Sequence, residues 1–176
     1  MIIYFVRHAS AGQHLPNPKR DEKRPLDADG IDQCGTMGRA LAAMNVQPDV
    51  IVSSPLKRAT QTASLIGNEI GYEGKLQLEP ALRPEAAFTD FRRMLEKYIR
   101  HEAVMVVGHN PSITEFLART IGKSGCEAMI EFKKGAVARA ETARQSATLN
   151  WFLTPKLARA IQAAAAEKSQ PKTSRK

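Results

Sequence analysis

Two histidines in this sequence lie two positions after the end of an apolar run, close to residues that can bind an anion. Arg7 and His8 follow the run IIYFV, and His109 follows the run AVMVV and a glycine. A third run, DVIVS, is followed shortly by Arg58. The planar guanidinium of arginine matches the paired oxygens of a phosphate group, and histidine can add a further hydrogen bond. If these three segments meet, they can form a phosphate pocket.

The three apolar runs predict strands, over residues 2–6, 49–53 and 103–107. Runs that are apolar on both faces are typical of strands buried between two layers of helices. The segments between them have helical periodicity. The predicted fold is therefore a three-layer α/β domain, with a mostly parallel sheet and helices on both faces. The predicted helices span 31–44, 57–70, 88–98 and 112–121.

In a parallel sheet of this kind, ligands bind beyond the carboxyl ends of the strands. The candidate residues all lie at such ends, and two of the predicted helices begin directly after them. A helix N-terminus presents free N–H groups and favours an anion. Each residue alone has an ordinary structural explanation, as a cap or a solvated side chain. Their coincidence at three strand ends indicates an anion-binding domain and leaves open whether it is an enzyme.

The later part of the chain changes character. Short strands are predicted at 129–132, 136–141 and 147–153, as antiparallel additions at the edge of the sheet. A helix is predicted from Pro155, because proline suits the first helical turn. We expect a single domain over residues 1–167, followed by a basic, disordered tail over 168–176.

Composition limits the possible partners. The net charge is +8, but the basic runs contain no interleaved aromatic residues, so nucleic acid is not the expected partner. No apolar run approaches the roughly 20 residues of a membrane helix. Cys34 and Cys126 could form at most one disulfide, so a cytoplasmic protein with two reduced thiols is expected. Since no histidine or cysteine cluster has metal-ligand spacing, neither a metal nor another cofactor is expected.

Four segments resemble a known family in their order and spacing. IIYFVRHASA, RPLDADG, VSSPLKRATQTA and VMVVGHNPSI are similar to motifs of the histidine phosphatase superfamily, which also contains the cofactor-dependent phosphoglycerate mutases. The small size of the chain and the position of RPLDADG resemble the short SixA-type branch of phosphohistidine phosphatases. The resemblance covers residues 1–160 or so and implies a phosphoglycerate mutase-like fold.

The resemblance also implies a mechanism. His8 would be the nucleophile that accepts the phosphoryl group, while Arg7, Arg58 and His109 would hold its oxygens. The implied activity is metal-independent hydrolysis, with phosphohistidine in a protein as the expected substrate. Three further residues near the strand ends are expected to contact the substrate: His14, Ser53 and Asn110.

The sequence departs from the family at two points. Ala9 stands where glycine is usual, which implies that the backbone there does not need a positive φ. Larger members use a glutamate as general acid, and Glu85 is the candidate here, although short members generally lack that acid. Two alternatives therefore stay open: a phosphomonoesterase of small molecules that uses Glu85, and a non-catalytic phosphate-binding domain.

Overall fold

A mixed six-stranded sheet forms the centre of the molecule. The computed structural model describes residues 1–122, 129–143 and 146–169. The strands are β1 (Ile2–Arg7), β2 (Val50–Ser53), β3 (Gln77–Leu78), β4 (Ala103–Gly108), β5 (Val137–Thr142) and β6 (Ala147–Leu153). Their order in the sheet is β3-β2-β4-β1-β5-β6. The first four of these are parallel, whereas β5 runs antiparallel to β1 and β6 antiparallel to β5. This confirms the predicted fold class, including the antiparallel C-terminal edge.

Helices cover both faces of the sheet, as predicted. The helices are α1 (Pro18–Glu22), α2 (Ala28–Ala43), α3 (Lys57–Glu69), α4 (Phe88–Glu96), α5 (Ser112–Ile121) and α6 (Pro155–Ser169). One face carries α2, α3 and α6, and the other carries α4 and α5. A 3-10 turn, Pro80–Leu82, precedes α4.

The central strands are apolar throughout because alternate side chains enter two different cores. Along β1, Ile3 and Phe5 pack with α4 and α5, while Tyr4 and Val6 pack with α2 and α3. Strand β4 alternates in the same way. Each such side chain contributes about 1.5–3 kcal/mol when fully buried. Burial on both faces therefore explains why these strands appear in the sequence as continuous hydrophobic runs.

The carboxyl ends of β1, β2 and β4 meet at one edge of the sheet. Parallel pairing places Arg7 opposite Gly108, and Ser53 opposite Val107. After β1 the chain passes through α1 to α2, which packs on one face of the sheet. After β4 the chain forms α5, which packs on the opposite face. Neighbouring strands whose connections leave to opposite faces form a crevice at their carboxyl ends, and sheets of this class bind ligands there.

The strand predicted at 129–132 is wrong. The backbone there is irregular, and β5 pairs directly with β1. The carbonyl of Phe132 accepts hydrogen bonds from the side chains of Arg7 and Asn110 instead of a neighbouring strand. The short elements α1 and β3 were not predicted, because five and two residues are too few for a clear periodicity.

Three further observations concern membrane helices, the cysteines and the predicted tail. Within the described ranges, no helix is both long enough and apolar enough to traverse a bilayer. Cys34 is a free thiol, and burial raises its pKa to about 12. Cys126 and residues 170–176, which make up most of the predicted tail, lie outside the described residues.

Candidate active site

A cavity of about 590 Å³ opens at the carboxyl ends of β1 and β4. It brings together seven of the eight residues singled out from the sequence, and Ser53 is the exception. The residues from that set that line it are Arg7, His8, His14, Arg58, Glu85, His109 and Asn110.

His8 lies directly after β1, and its imidazole is held in one tautomer. Its Nδ1 lies 2.7 Å from the carbonyl oxygen of Ala9. Because a carbonyl can only accept, Nδ1 carries the hydrogen, and Nε2 is left with a lone pair. Burial, reinforced by the charges of Arg58 and Arg7, lowers the pKa of His8 to about 3. The ring is therefore neutral at physiological pH and can act as a nucleophile.

Asp27 holds the loop that follows His8. Its carboxylate accepts hydrogen bonds from Ser10 Oγ at 2.8 Å and from the Gly12 backbone N–H at 2.7 Å. It also caps α2 by accepting from the N–H of Gly30 at 2.8 Å. A Cβ on Gly30 would lie 2.0 Å from the carbonyl oxygen of Ser10, so only glycine fits there. The RPLDADG segment thus positions the backbone beside the candidate nucleophile.

Ala9 fits where glycine is usual in the family. Asn45 is the one non-glycine residue with a positive φ in the described part of the chain, so Ala9 has an ordinary backbone conformation. Its N–H donates to Thr62 Oγ1 at 3.1 Å, and that hydroxyl donates to the carbonyl of Arg58 at 2.7 Å. Thr62 therefore links the His8 loop to α3.

Arg7 is fixed by the turn at residues 132–135. Its Nη1 donates to the Phe132 carbonyl at 2.6 Å. The N–H of Gly135 lies 3.1 Å from the carbonyl of Arg7 and 3.2 Å from that of His8, and Gly135 has a φ of +71°. This turn therefore joins the end of β1 and brings Lys134 to the cavity wall.

Arg58, in the first turn of α3, is held by Asp21 of α1. Its Nη1 donates to the carbonyl oxygen of Asp21 at 2.9 Å and to Oδ2 at 3.2 Å. The Asp21 carboxylate also accepts from Arg24 Nε at 2.7 Å and from the Leu15 N–H at 2.9 Å. Burial opposes ionisation of Asp21, but these hydrogen bonds and the charge of Arg58 outweigh it and hold its pKa well below the usual range. Asp21 was not predicted as a site residue, because RDEKR is a mixed-charge run in the sequence.

His109 is paired with Ser54 and not with Ser53. Its Nε2 lies 2.9 Å from Ser54 Oγ, and its ring centroid lies 4.8 Å from that of His8. Burial, together with the nearby His8 and Arg58, lowers the pKa of His109 to about 2. The hydroxyl of Ser53 instead donates to the Ser54 carbonyl at 2.9 Å, away from the cavity. The structure therefore does not support the expected substrate contact of Ser53.

Three buried donors or acceptors in this site have no hydrogen-bond partner. They are Nε of Arg7, Nε of Arg58 and Nδ1 of His109, and within the described ranges no other buried side-chain nitrogen or oxygen lacks one. Buried polar groups in proteins are nearly always paired, so an exception needs an explanation. All three belong to residues that surround His8 at the cavity, and an oxyanion would satisfy guanidinium and imidazole donors.

The rim of the cavity is exposed and mixed in charge. His14, with a side chain 76% exposed, lies 3.7 Å from the Asp21 carboxylate. Glu85 is 70% exposed and lies 3.9 Å from Nη1 of Arg83. Among the residues that the structure describes, no group of three or more histidine, cysteine or acidic side chains could hold a metal.

The sheet order, the two neighbouring imidazoles, the buried Arg58 and the half-buried Arg7 form a site suited to an oxyanion. Residues 3–104 match the family model of the histidine phosphatase superfamily (branch 1). The chain belongs to this superfamily. It is 25% identical over 167 residues to the phosphohistidine phosphatase SixA of Escherichia coli K12, with 92% of this chain and 100% of that protein covered.

Solved structures show the same fold. The protein histidine phosphatase SixA complexed with tungstate has a TM-score of 0.79 at 23% identity, with 89% of this chain and 98% of that chain covered. A phosphoglycerate mutase from Bacillus anthracis str. Sterne has a TM-score of 0.68 at 13% identity, with 90% and 95% covered. The family match and the SixA relative confirm the resemblance to the SixA-type branch, and the solved structures confirm the phosphoglycerate mutase-like fold.

Proposed function

We propose that this protein is a metal-independent phosphatase in which Nε2 of His8 accepts a phosphoryl group from phosphohistidine in another protein. The observation that carries this proposal is the neutral His8 in a cavity shared with Arg7, Arg58 and His109, each of which has one unpartnered buried polar atom. A nucleophile beside unsatisfied donors suits the transfer of a dianionic phosphoryl group.

In the first step, the Nε2 lone pair of His8 forms a bond to phosphorus. The bond from phosphorus to the donor nitrogen breaks, and its electron pair leaves with the donor imidazole, which takes up a proton from solvent. Charge spreads over the three equatorial oxygens as the phosphoryl group moves in line. Arg7 and Arg58 stabilise that charge in a partly dehydrated site, where such interactions are stronger than in water.

In the second step, a water molecule attacks the same phosphorus. The bond between phosphorus and His8 Nε2 breaks, its electron pair returns to the ring, and the proton of the water is released with inorganic phosphate. The hydrogen bond from Nδ1 to Ala9 keeps the ring in the same orientation in both steps.

Two features support a protein-borne phosphohistidine as the substrate. The rim residues His14 and Glu85 are 76% and 70% exposed, so a phosphorylated side chain of a folded partner can enter. Imidazole is also a far better leaving group than an alkoxide, so this donor needs no strong general acid. The names of the relatives agree with such chemistry: one is a phosphohistidine phosphatase, and one solved structure holds tungstate, a tetrahedral oxyanion like phosphate.

One observation favours a second candidate, a phosphomonoesterase of small molecules. Glu85 lines the cavity, where a carboxylic acid could protonate an alkoxide leaving group. Arg83, which lies near Glu85, also forms an ion pair with Glu22, with 2.8 Å between Nη1 and Oε1. This ion pair holds the 83–85 segment at the rim. Glu85→Gln separates the two candidates. If the variant loses activity only on phosphomonoesters, Glu85 is the general acid. If the variant matches the wild type on both substrates, Glu85 has no such role.

The decisive assay offers a phosphohistidine-bearing protein and p-nitrophenyl phosphate to the wild type and to His8→Ala, with and without EDTA. We expect EDTA to have no effect and His8→Ala to lose at least about a thousandfold in turnover. The wild type should also carry acid-labile phosphate after a rapid quench. Turnover by His8→Ala would exclude the covalent mechanism. Phosphate binding without turnover in the wild type would indicate the non-catalytic alternative.

A further inference from the structure

Ser54 is completely buried, and both its backbone and its hydroxyl group are hydrogen-bonded. Its backbone N–H donates to the Val107 carbonyl at 2.9 Å, which ties the end of β2 to β4. Its Oγ lies 2.9 Å from Nε2 of His109 and 3.4 Å from the backbone N of Leu56. The Leu56 N–H can only donate, so the hydroxyl oxygen accepts from it.

A neutral imidazole carries one N–H, on either Nδ1 or Nε2, and the partner of one nitrogen decides which. The Ser54 hydroxyl has a single hydrogen. If that hydrogen points to His109, Nε2 accepts it and the ring proton lies on Nδ1. The weak approach of the Leu56 N–H to Oγ favours this direction, because the oxygen then accepts once and donates once.

We propose that Ser54 is a positioning residue that holds His109 as the Nδ1–H tautomer, so that His109 gives a phosphoryl oxygen a neutral hydrogen bond. The role at the phosphoryl group rests on the proposed function. Nδ1 of His109 is one of the three unpartnered buried atoms of the site, and a donor there satisfies an anion. The opposite tautomer would direct a lone pair at the phosphate and repel it.

The low pKa of His109 agrees with a role as a neutral hydrogen-bond donor and not as an acid that transfers a proton. Burial and the nearby His8 and Arg58 hold the pKa of His109 at about 2, so the ring has no second proton to give at neutral pH. A hydrogen bond from a preorganised neutral donor stabilises charge that develops in a transition state, and the loss of one such donor slows catalysis substantially.

The chain offers a matched control beside Ser54. Ser53 is equally buried, but its hydroxyl donates to the Ser54 carbonyl and does not contact His109. We would record long-range 1H–15N spectra of the imidazoles in the wild type, Ser54→Ala and Ser53→Ala. We expect a protonated Nδ1 in the wild type and in Ser53→Ala, and a shift of the proton to Nε2 in Ser54→Ala.

Binding and turnover complete the test. Ser54→Ala should weaken the binding of inorganic phosphate, followed by titration, and lower kcat/KM for p-nitrophenyl phosphate by about tenfold or more, whereas Ser53→Ala should change both less than about twofold. A wild-type proton on Nε2, or equal losses in the two variants, would overturn the inference. A wild type that has the Nδ1–H tautomer and binds phosphate, but turns over no substrate, would refute the proposed function while it supports this assignment.

Discussion

Asp21 Oδ2 lies 3.2 Å from Arg58 Nη1, and both residues are only 5% exposed. The carboxylate also holds Arg24 and the backbone of Leu15, so one buried charge joins α1 and the segments on both sides of it to the start of α3. A charge pair that is taken out of water is stable only when its remaining hydrogen-bonding groups are satisfied. Asp21 thus lets a cation remain buried beside His8.

Asp21→Asn keeps the volume of the side chain but removes its charge. We expect a higher KM for p-nitrophenyl phosphate, because Arg58 loses its orientation, and a loss of about 3 kcal/mol in the free energy of unfolding, because Arg58 stays buried without a counter-charge. Steady-state kinetics and urea unfolding measure the two effects. The control is Glu22→Gln, on the same helix, whose exposed carboxylate pairs with Arg83. Equal behaviour of the two variants would contradict the structural role of Asp21.

The two buried imidazoles predict a dependence of stability on pH. The folded-state pKa of His8 is lowered from 6.5 to about 3, and that of His109 to about 2. Below about pH 6.5 the unfolded chain therefore binds more protons than the folded chain, so the free energy of unfolding falls as the pH drops toward about 3. Above about pH 6.5 these two histidines do not change the free energy of unfolding with pH. Urea unfolding across this range should show a smaller slope in His8→Gln, and an unchanged slope would contradict the low pKa.

Lys134 is expected to assist phosphate binding. It lines the cavity at the turn tied to β1, and its charge helps to keep His8 neutral. Lys134→Met should raise KM for p-nitrophenyl phosphate and the inhibition constant of inorganic phosphate by about threefold to tenfold, since one nearby cation is lost.

The neighbouring lysine is the control for that experiment. Lys133 is exposed and pairs with Glu131, so Lys133→Met should leave both constants unchanged. The effect of Lys134→Met should also shrink at high salt, because screening weakens exposed charge interactions. Identical constants for both variants at low salt would show that Lys134 takes no part in binding.

Gly30→Ala should destabilise the loop beside His8. The added methyl group would meet the Ser10 carbonyl at 2.0 Å, and backbone cannot yield as a flexible side chain can. We expect a loss of about 2 kcal/mol in the free energy of unfolding and a lower kcat. Gly35→Ala is the control on the same helix, where the nearest atom is 3.1 Å away at the end of Arg39. It should stabilise the protein by up to about 1 kcal/mol, because alanine favours a helix. A stable, fully active Gly30→Ala would contradict the close approach.

Much of the architecture could be predicted from local patterns. Strands buried on both faces are continuous apolar runs, and the parallel arrangement that such runs require collects their carboxyl ends at one edge. For that reason Arg7, His8, Arg58 and His109 could be expected to meet, and the structure brings them to one cavity. The predicted strand at 129–132 was wrong because Ile130 and Phe132 pack against the core without ladder pairing, and composition does not distinguish such packing from a strand.

The sequence by itself thus determined the central strands of the sheet, their ends and the four residues at the centre of the candidate site, because hydrophobic periodicity acts locally along the chain. Only the tertiary structure decided which groups hold them. Asp21 reaches Arg58 across 37 positions of the chain. Ser54, and not Ser53, reaches His109, because neighbouring residues in extended backbone point to opposite sides. Contacts of this kind depend on how separate elements pack, and no spacing within one segment specifies them.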